Sequence, residues 1–137
     1  MLARRIFTFI VAVLALQGGN SRPSVVHIVG LDYPRLAHLA STQGTVEFLL
    51  SIGREGTVHS VKLLSGDGLL ADSAAKTLTS WTFSPCKGER GECEYPMSVR
   101  FVLVGSPVNI SECKTEFQFD NPGRIVVTSQ YARAIVD

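Results

Sequence analysis

What this sequence has little of narrows it first. Its 137 residues carry 13 basic against 12 acidic side chains, so it lacks the positive excess that leaves a footprint for nucleic acid. The apolar run near its start, Ile6 to Leu16, has eleven residues, short of the roughly 20 that a membrane-crossing helix needs. Only three cysteines occur, with six and nineteen residues between successive ones and no histidine at finger-like spacing; no metal site is expected. His27, His38 and His59 fall in unrelated segments without a nucleophile motif, so no catalytic residue is assigned and the chain is not read as an enzyme. The turn SGDG at 65–68 lacks the lysine and longer glycine pattern of a phosphate loop, and Asp67 would repel an anion. No cofactor is implied.

What is present begins with a secretory layout. Met1 to Arg5 carries two arginines, the uncharged run follows, and Gln17 to Ser21 turns small and polar. Residues 1–19 are therefore read as a signal peptide, with anything from Ala15 to Asn20 able to follow the cut. An uncleaved segment tethering the chain to the inner membrane is the alternative. No cysteine sits just after the run, which argues against a lipoprotein. With Arg4 and Arg5 removed, eleven basic residues face twelve acidic ones.

Export favours disulfides over thiolate metal sites. Cys86 and Cys93 are expected to bridge, closing a loop that restricts the unfolded chain by about 2.5 kcal/mol on the chain-entropy model; two free buried thiols are the competing reading. Cys113 is left over as a buried thiol, a reactive one, or a rival partner. Asn109, Ile110 and Ser111 form a glycosylation triplet that matters only in a host that glycosylates exported proteins.

Residues 20–32 read as an N-terminal arm, strand or extended. Tyr33-Pro34 presets a turn, Pro34 suits a first helical position, and Leu36, Leu39 and Ala40 share one face of a short helix. From Gly44 the period becomes two: Val46, Phe48, Leu50 and Ile52 alternate with Thr45, Glu47, Leu49 and Ser51. GREG at 53–56 reverses the chain into a strand with Val61 and Leu63 on its inner face. Asp67 caps a helix on which Leu70, Ala74, Leu78 and Trp81 recur, with Asp72 near its positive end. Tyr95, Met97, Val99, Phe101 and Leu103 mark a third strand. TEFQFD and RIVVTSQ flank the turn NPG at 121–123 and predict a terminal hairpin. The expected class is α+β, a mostly antiparallel sheet packed against two helices, with an extra C-terminal β-hairpin in residues 105–137.

The order YPRLAHLA, GTVEFLLSIGREGTVHSVKLLSGDG, LLADSAAKTLTSWTFSP, YPMSVRFVL resembles the C-terminal domain of the TonB energy-transducer family, over Tyr33 to Leu103. It rests on Tyr33-Pro34, Ala37, Gly44, Val46, Gly56, Val58, Val61, Gly66, Leu70, Asp72, Ala74-Ala75, Trp81, Phe83 and Pro85 taken together. Residues 33–104 are assigned to that domain. The resemblance implies a periplasmic domain that grips outer-membrane receptors and couples an energised inner-membrane complex to uptake. A receptor peptide would add beside the last sheet strand, where open backbone groups give affinity and alternate side chains selectivity. The matching positions are Glu94, Tyr95, Met97, Ser98, Val99, Arg100, Phe101 and Val102, with Ser98, Arg100 and Val102 facing away from the other series. The Cys86–Cys93 tie would fix where that edge begins. The competing class is a structural or assembly module of the envelope, dimerising through the same edge. A full transducer carries a membrane anchor and a long proline-rich spacer; only a few residues here separate the apolar run from Tyr33, so force transmission by this chain alone is not expected. The terminal hairpin is placed to lie against the edge a receptor would use.

Overall fold

The computed structural model describes residues 22–88, 90–120 and 122–133; the expected signal peptide lies outside them. Two helices cover one face of a five-stranded sheet, and a two-stranded ribbon flanks it. The class is α+β, as the alternation of periods predicts.

Strand β1 (Val25–His27) comes from the arm, and helix α1 (Arg35–Leu39) follows Pro34, which is extended at ψ 134° and so precedes the helix as its cap. In β2 (Gly44–Gly53), Val46, Phe48, Leu50 and Ile52 are buried while Thr45 and Glu47 face water. The reversal into β3 (Val58–Ser65) requires Gly56. Its φ is +87° and a Cβ there would stand 1.9 Å from the Phe83 carbonyl oxygen, so both backbone freedom and space demand glycine.

Helix α2 (Gly68–Leu78) starts at Asp67, whose carboxylate accepts from the Leu69 N–H at 2.7 Å. Leu70, Ala74 and Leu78 pack with Trp81 in the core, but Trp81, expected on the same helix, lies beyond its C-cap Thr79. Strand β4 (Thr82–Phe83) pairs antiparallel with β1, and Trp81 Nε1 donates to the Val29 carbonyl at 2.9 Å. The arm is thus stitched to the domain.

The long strand β5 (Glu92–Asn109) runs antiparallel to β2 over Glu92–Phe101. A single 3-10 turn leads to β6 (Glu116–Asp120) and β7 (Arg124–Arg133), an antiparallel hairpin turning at Gly123. The sheet order is β3-β2-β5-β7-β6. Ile125, Val127 and Ser129 are buried, and Phe117 and Phe119 stand edge-on to Trp81, with ring centroids 6.3 and 5.4 Å away. The expected hairpin is present, and it belongs to the same core.

Two face assignments are corrected. Leu36 and Leu39 are exposed by 67% and 38%, whereas Ala37 and His38 are buried. A five-residue helix has no strong periodicity, and the hydrogen-bonding partner of His38 decides which side faces in. Leu63 is 45% exposed because β3 is an edge strand with nothing beyond it to cover that end.

Candidate functional site

The residues expected to form an open edge lie along β5, and its two flanks differ. On one side β2 takes the backbone groups throughout Glu92–Phe101. On the other, β7 pairs in parallel from Ser98 to Val104, opposite Arg124 to Gln130. For Ser98, Val99, Arg100, Phe101 and Val102, the expectation of a free row is therefore corrected: those groups are shared within the chain. The physical reason is the match of two apolar rows, since Val99 stands beside Ile125 and Phe101 beside Val127, all at most 1% exposed.

Glu92–Met97 is different. Among the described residues no strand pairs with it on the β7 side. Ser98 N–H donates toward that side, to the Gly123 carbonyl at 2.8 Å. Because strand groups alternate and the β2–β5 register runs unbroken, the Glu94 N–H and C=O and the Pro96 C=O point the same way. Pro96 supplies no donor, which blunts this stub as proline commonly blunts an edge. Tyr95 and Met97 turn their side chains into the core at 2% exposure, while Glu94 and Pro96 are exposed.

Three cavities surround the stub, and Arg22 borders each of them. One of about 340 Å³ is walled by Val25, Ile28, Tyr95, Phe119 and Pro122. Another of about 300 Å³ reaches Glu47, Leu64, Pro96, Ser98 and Arg124. A smaller one, about 150 Å³, lies between Ser84, Pro85 and Lys87. The Arg22 guanidinium sits 5.6 Å from the Tyr95 ring centroid and donates from Nη1 to the Pro122 carbonyl at 3.4 Å. Burial raises the Tyr95 phenol above its usual range, against a smaller lowering by Arg22.

The bridge expected between Cys86 and Cys93 is formed, with Cα atoms 5.8 Å apart, and it joins the end of the β4 loop to the second residue of β5. Cys113 is free and half-buried. Its thiol is pushed up by burial and, less, by Glu112, and Sγ lies 3.7 Å from the Asn109 carbonyl and 3.6 Å from that of Gln130. The three histidines stay apart in role: His38 is buried against β7, His59 lies 3.4 Å from Glu92 at the surface, and His27 is exposed on β1. No cluster of potential metal ligands occurs among the described residues. No helix among them is long and apolar enough to cross a membrane.

Sequence reasoning missed Arg22 and Pro122, which approach Tyr95 only through folding. Their sole local signal is proline and arginine beside predicted strands.

Neither comparison, with curated proteins or with solved structures, gives a match. The family model for the Gram-negative bacterial TonB protein C-terminal matches residues 29–103, from the arm through the fifth residue before Val108, more than half of the chain. This span takes in both helices, the β2–β3 hairpin and the buried row of β5, and on it the chain belongs to the Gram-negative bacterial TonB protein C-terminal family.

Proposed function

We propose that this chain is an exported envelope domain that binds a protein or peptide partner by strand addition, in the service of outer-membrane transport. Family membership supports the transport setting. The unpaired flank of β5 at Glu92–Met97 carries the binding reading, because it presents backbone groups in an extended row with a cavity beside it. Glu94, Tyr95 and Met97 are the residues from the expected edge that remain in a position to receive a strand. The incoming segment would continue the line of β7 beyond Gly123. It would be short, since only Glu92, Glu94 and Pro96 aim backbone groups outward and the Pro96 donor is missing. Ser98 to Val102 would contribute by holding β7, which fixes the far end of the slot.

Periplasmic delivery through a signal in residues 1–19 belongs to the same proposal. N-terminal sequencing of the exported protein tests it: a mature chain starting between Ala15 and Asn20 is expected, and an intact N-terminus would establish a tethered form instead.

The binding test is amide exchange and chemical-shift mapping, with peptides from the periplasmic ends of outer-membrane receptors. Bound peptide should slow exchange at Glu94 and leave Val99 to Val104 unchanged. Shifts confined to β3, or loss of the β7 pairing on binding, would end this assignment of the site.

A second reading, an assembly module that dimerises edge to edge, draws on one observation. Among the described residues the outer edge of β3 has no neighbour in the sheet, and Leu63 and Leu64 are 45% and 51% exposed on it. Sedimentation velocity separates the two readings: a dimer that persists on dilution and is unaltered by receptor peptides favours assembly.

A further inference from the structure

The cavity between the arm and the β6–β7 turn has a composition that strand addition does not use. Besides Arg22 it is lined by Pro23, Val25, Ile28, Phe119 and Pro122, with Ser24 and Tyr95 as the polar members. Among the described residues one charge borders it, that of Arg22, and no carboxylate does. The sole ion pair among them is His59 with Glu92, so Arg22 has no acidic partner there. One N–H of its fork goes to the Pro122 carbonyl, and the fork holds further donors.

Tyr95 adds a second polar group. Its phenol has no hydrogen-bond partner among the described residues, and Tyr95 borders this cavity. A site with apolar walls, a guanidinium and a phenol on its border is complementary to a molecule with one anionic end and a hydrocarbon body. Its volume of about 340 Å³ falls within the range of small-molecule pockets, roughly 300–1,000 Å³.

We propose that this cavity binds a small apolar carboxylic acid, with the carboxylate held by Arg22 and the Tyr95 hydroxyl and the hydrocarbon laid against Val25, Ile28, Phe119 and Pro122. A neutral ligand would leave the guanidinium without its anion, and a phosphate would leave the apolar walls unfilled. The proposal stands apart from strand addition, which needs the β5 backbone rather than this space.

Octanoate, below its micelle concentration, is the probe, and octan-1-ol of the same chain length is the comparison. Octanoate should shift the side-chain signals of Val25, Ile28, Tyr95 and Phe119, with affinity about tenfold above that of octanol. Arg22→Gln should abolish that preference while leaving the melting temperature unchanged, because Arg22 is exposed and makes only one long hydrogen bond. Val25→Phe, which fills the space, should weaken both ligands together. Equal binding of acid and alcohol to the natural chain would overturn the proposal, as would shifts located elsewhere. A peptide with a free C-terminus that binds this cavity more tightly than octanoate would also overturn it, by making a chain end the occupant. Receptor-peptide binding at Glu94 is read separately, so either result can fail alone.

Discussion

His38 donates from Nε2 to the carbonyl oxygen of Gln130 at 2.6 Å, joining the five-residue helix α1 to strand β7 across 92 positions of sequence. Ser129 Oγ lies 3.4 Å from the same nitrogen, and Tyr33 packs its ring against the imidazole at 4.9 Å. The donor role fixes the proton on Nε2, since a carbonyl only accepts.

Replacing His38 by leucine should therefore cost about 1–3 kcal/mol, because it leaves the part-buried Gln130 carbonyl with only the weak Cys113 thiol as donor, at 3.6 Å. His38→Gln retains an N–H and should recover part of the loss. Urea unfolding of the two variants gives the difference; equal stabilities would show that packing, not the hydrogen bond, ties α1 to β7.

Tyr33 predicts an alkaline limit to stability. Its phenol donates to the Thr42 carbonyl, and burial, with a smaller effect of nearby Tyr131, pushes its pKa up to about 12 from 10.0. The native state thus favours the protonated form. The contribution is fully present below the unfolded value of about 10 and is lost as pH rises through the folded value. Stability should fall between about pH 10 and 12, and Tyr33→Phe should flatten that part of the profile while lowering stability at neutral pH. An unchanged alkaline slope in the phenylalanine variant would assign the titration to other groups.

The alternating rows of β2 and β5 and the spacing of Leu70, Ala74, Leu78 and Trp81 were legible in sequence because burial of one face imposes its period directly. Asp67 was legible as a cap for the same local reason. The pairing of β5 with β7 was not. Parallel neighbours are chosen by complementarity between rows far apart in sequence, here Val99 with Ile125 and Phe101 with Val127, and no turn motif announces them. So the strand that reads as the family's exposed edge has neighbours on both flanks over Ser98–Phe101, while Glu92–Met97 lacks one on the β7 side among the described residues. Arg22 was illegible as a site residue because its partners, Tyr95 and Pro122, lie 73 and 100 positions away.

That pairing makes the hairpin part of the core. Val127 is fully buried and Ile125 is 1% exposed, so Ile125→Ala should cost about 2–5 kcal/mol, with Val127→Ala somewhat less. Denaturation should remain a single transition whether followed by Trp81 fluorescence or by far-ultraviolet dichroism. A separate early transition, or losses below about 0.5 kcal/mol, would mean that β6 and β7 are an appendage.

Cys113 should react slowly. Burial and Glu112 both raise its pKa, so little thiolate exists near neutral pH. Alkylation by iodoacetamide in the native protein should be several-fold slower than for a small free thiol, and should reach that rate after unfolding. Fast native labelling would identify a reactive cysteine.

The bridge between Cys86 and Cys93 allows two roles to be separated. As a restraint on the unfolded chain, its removal in a Cys86→Ser, Cys93→Ser variant should cost about 2.5 kcal/mol. If it also holds the start of β5 still, a second effect must appear at the stub: Glu94 should exchange its amide faster, and receptor peptides should bind more weakly, because more freedom is lost when the partner pairs. The two effects are independent, since the unfolded chain does not bind and stability sets only how much folded protein is present. Measured where both proteins are fully folded, an unchanged peptide affinity would leave the bridge a stabiliser alone. A weaker one, with Val99 to Val104 still protected by β2 and β7, would locate the lost order at the six residues that β7 leaves uncovered.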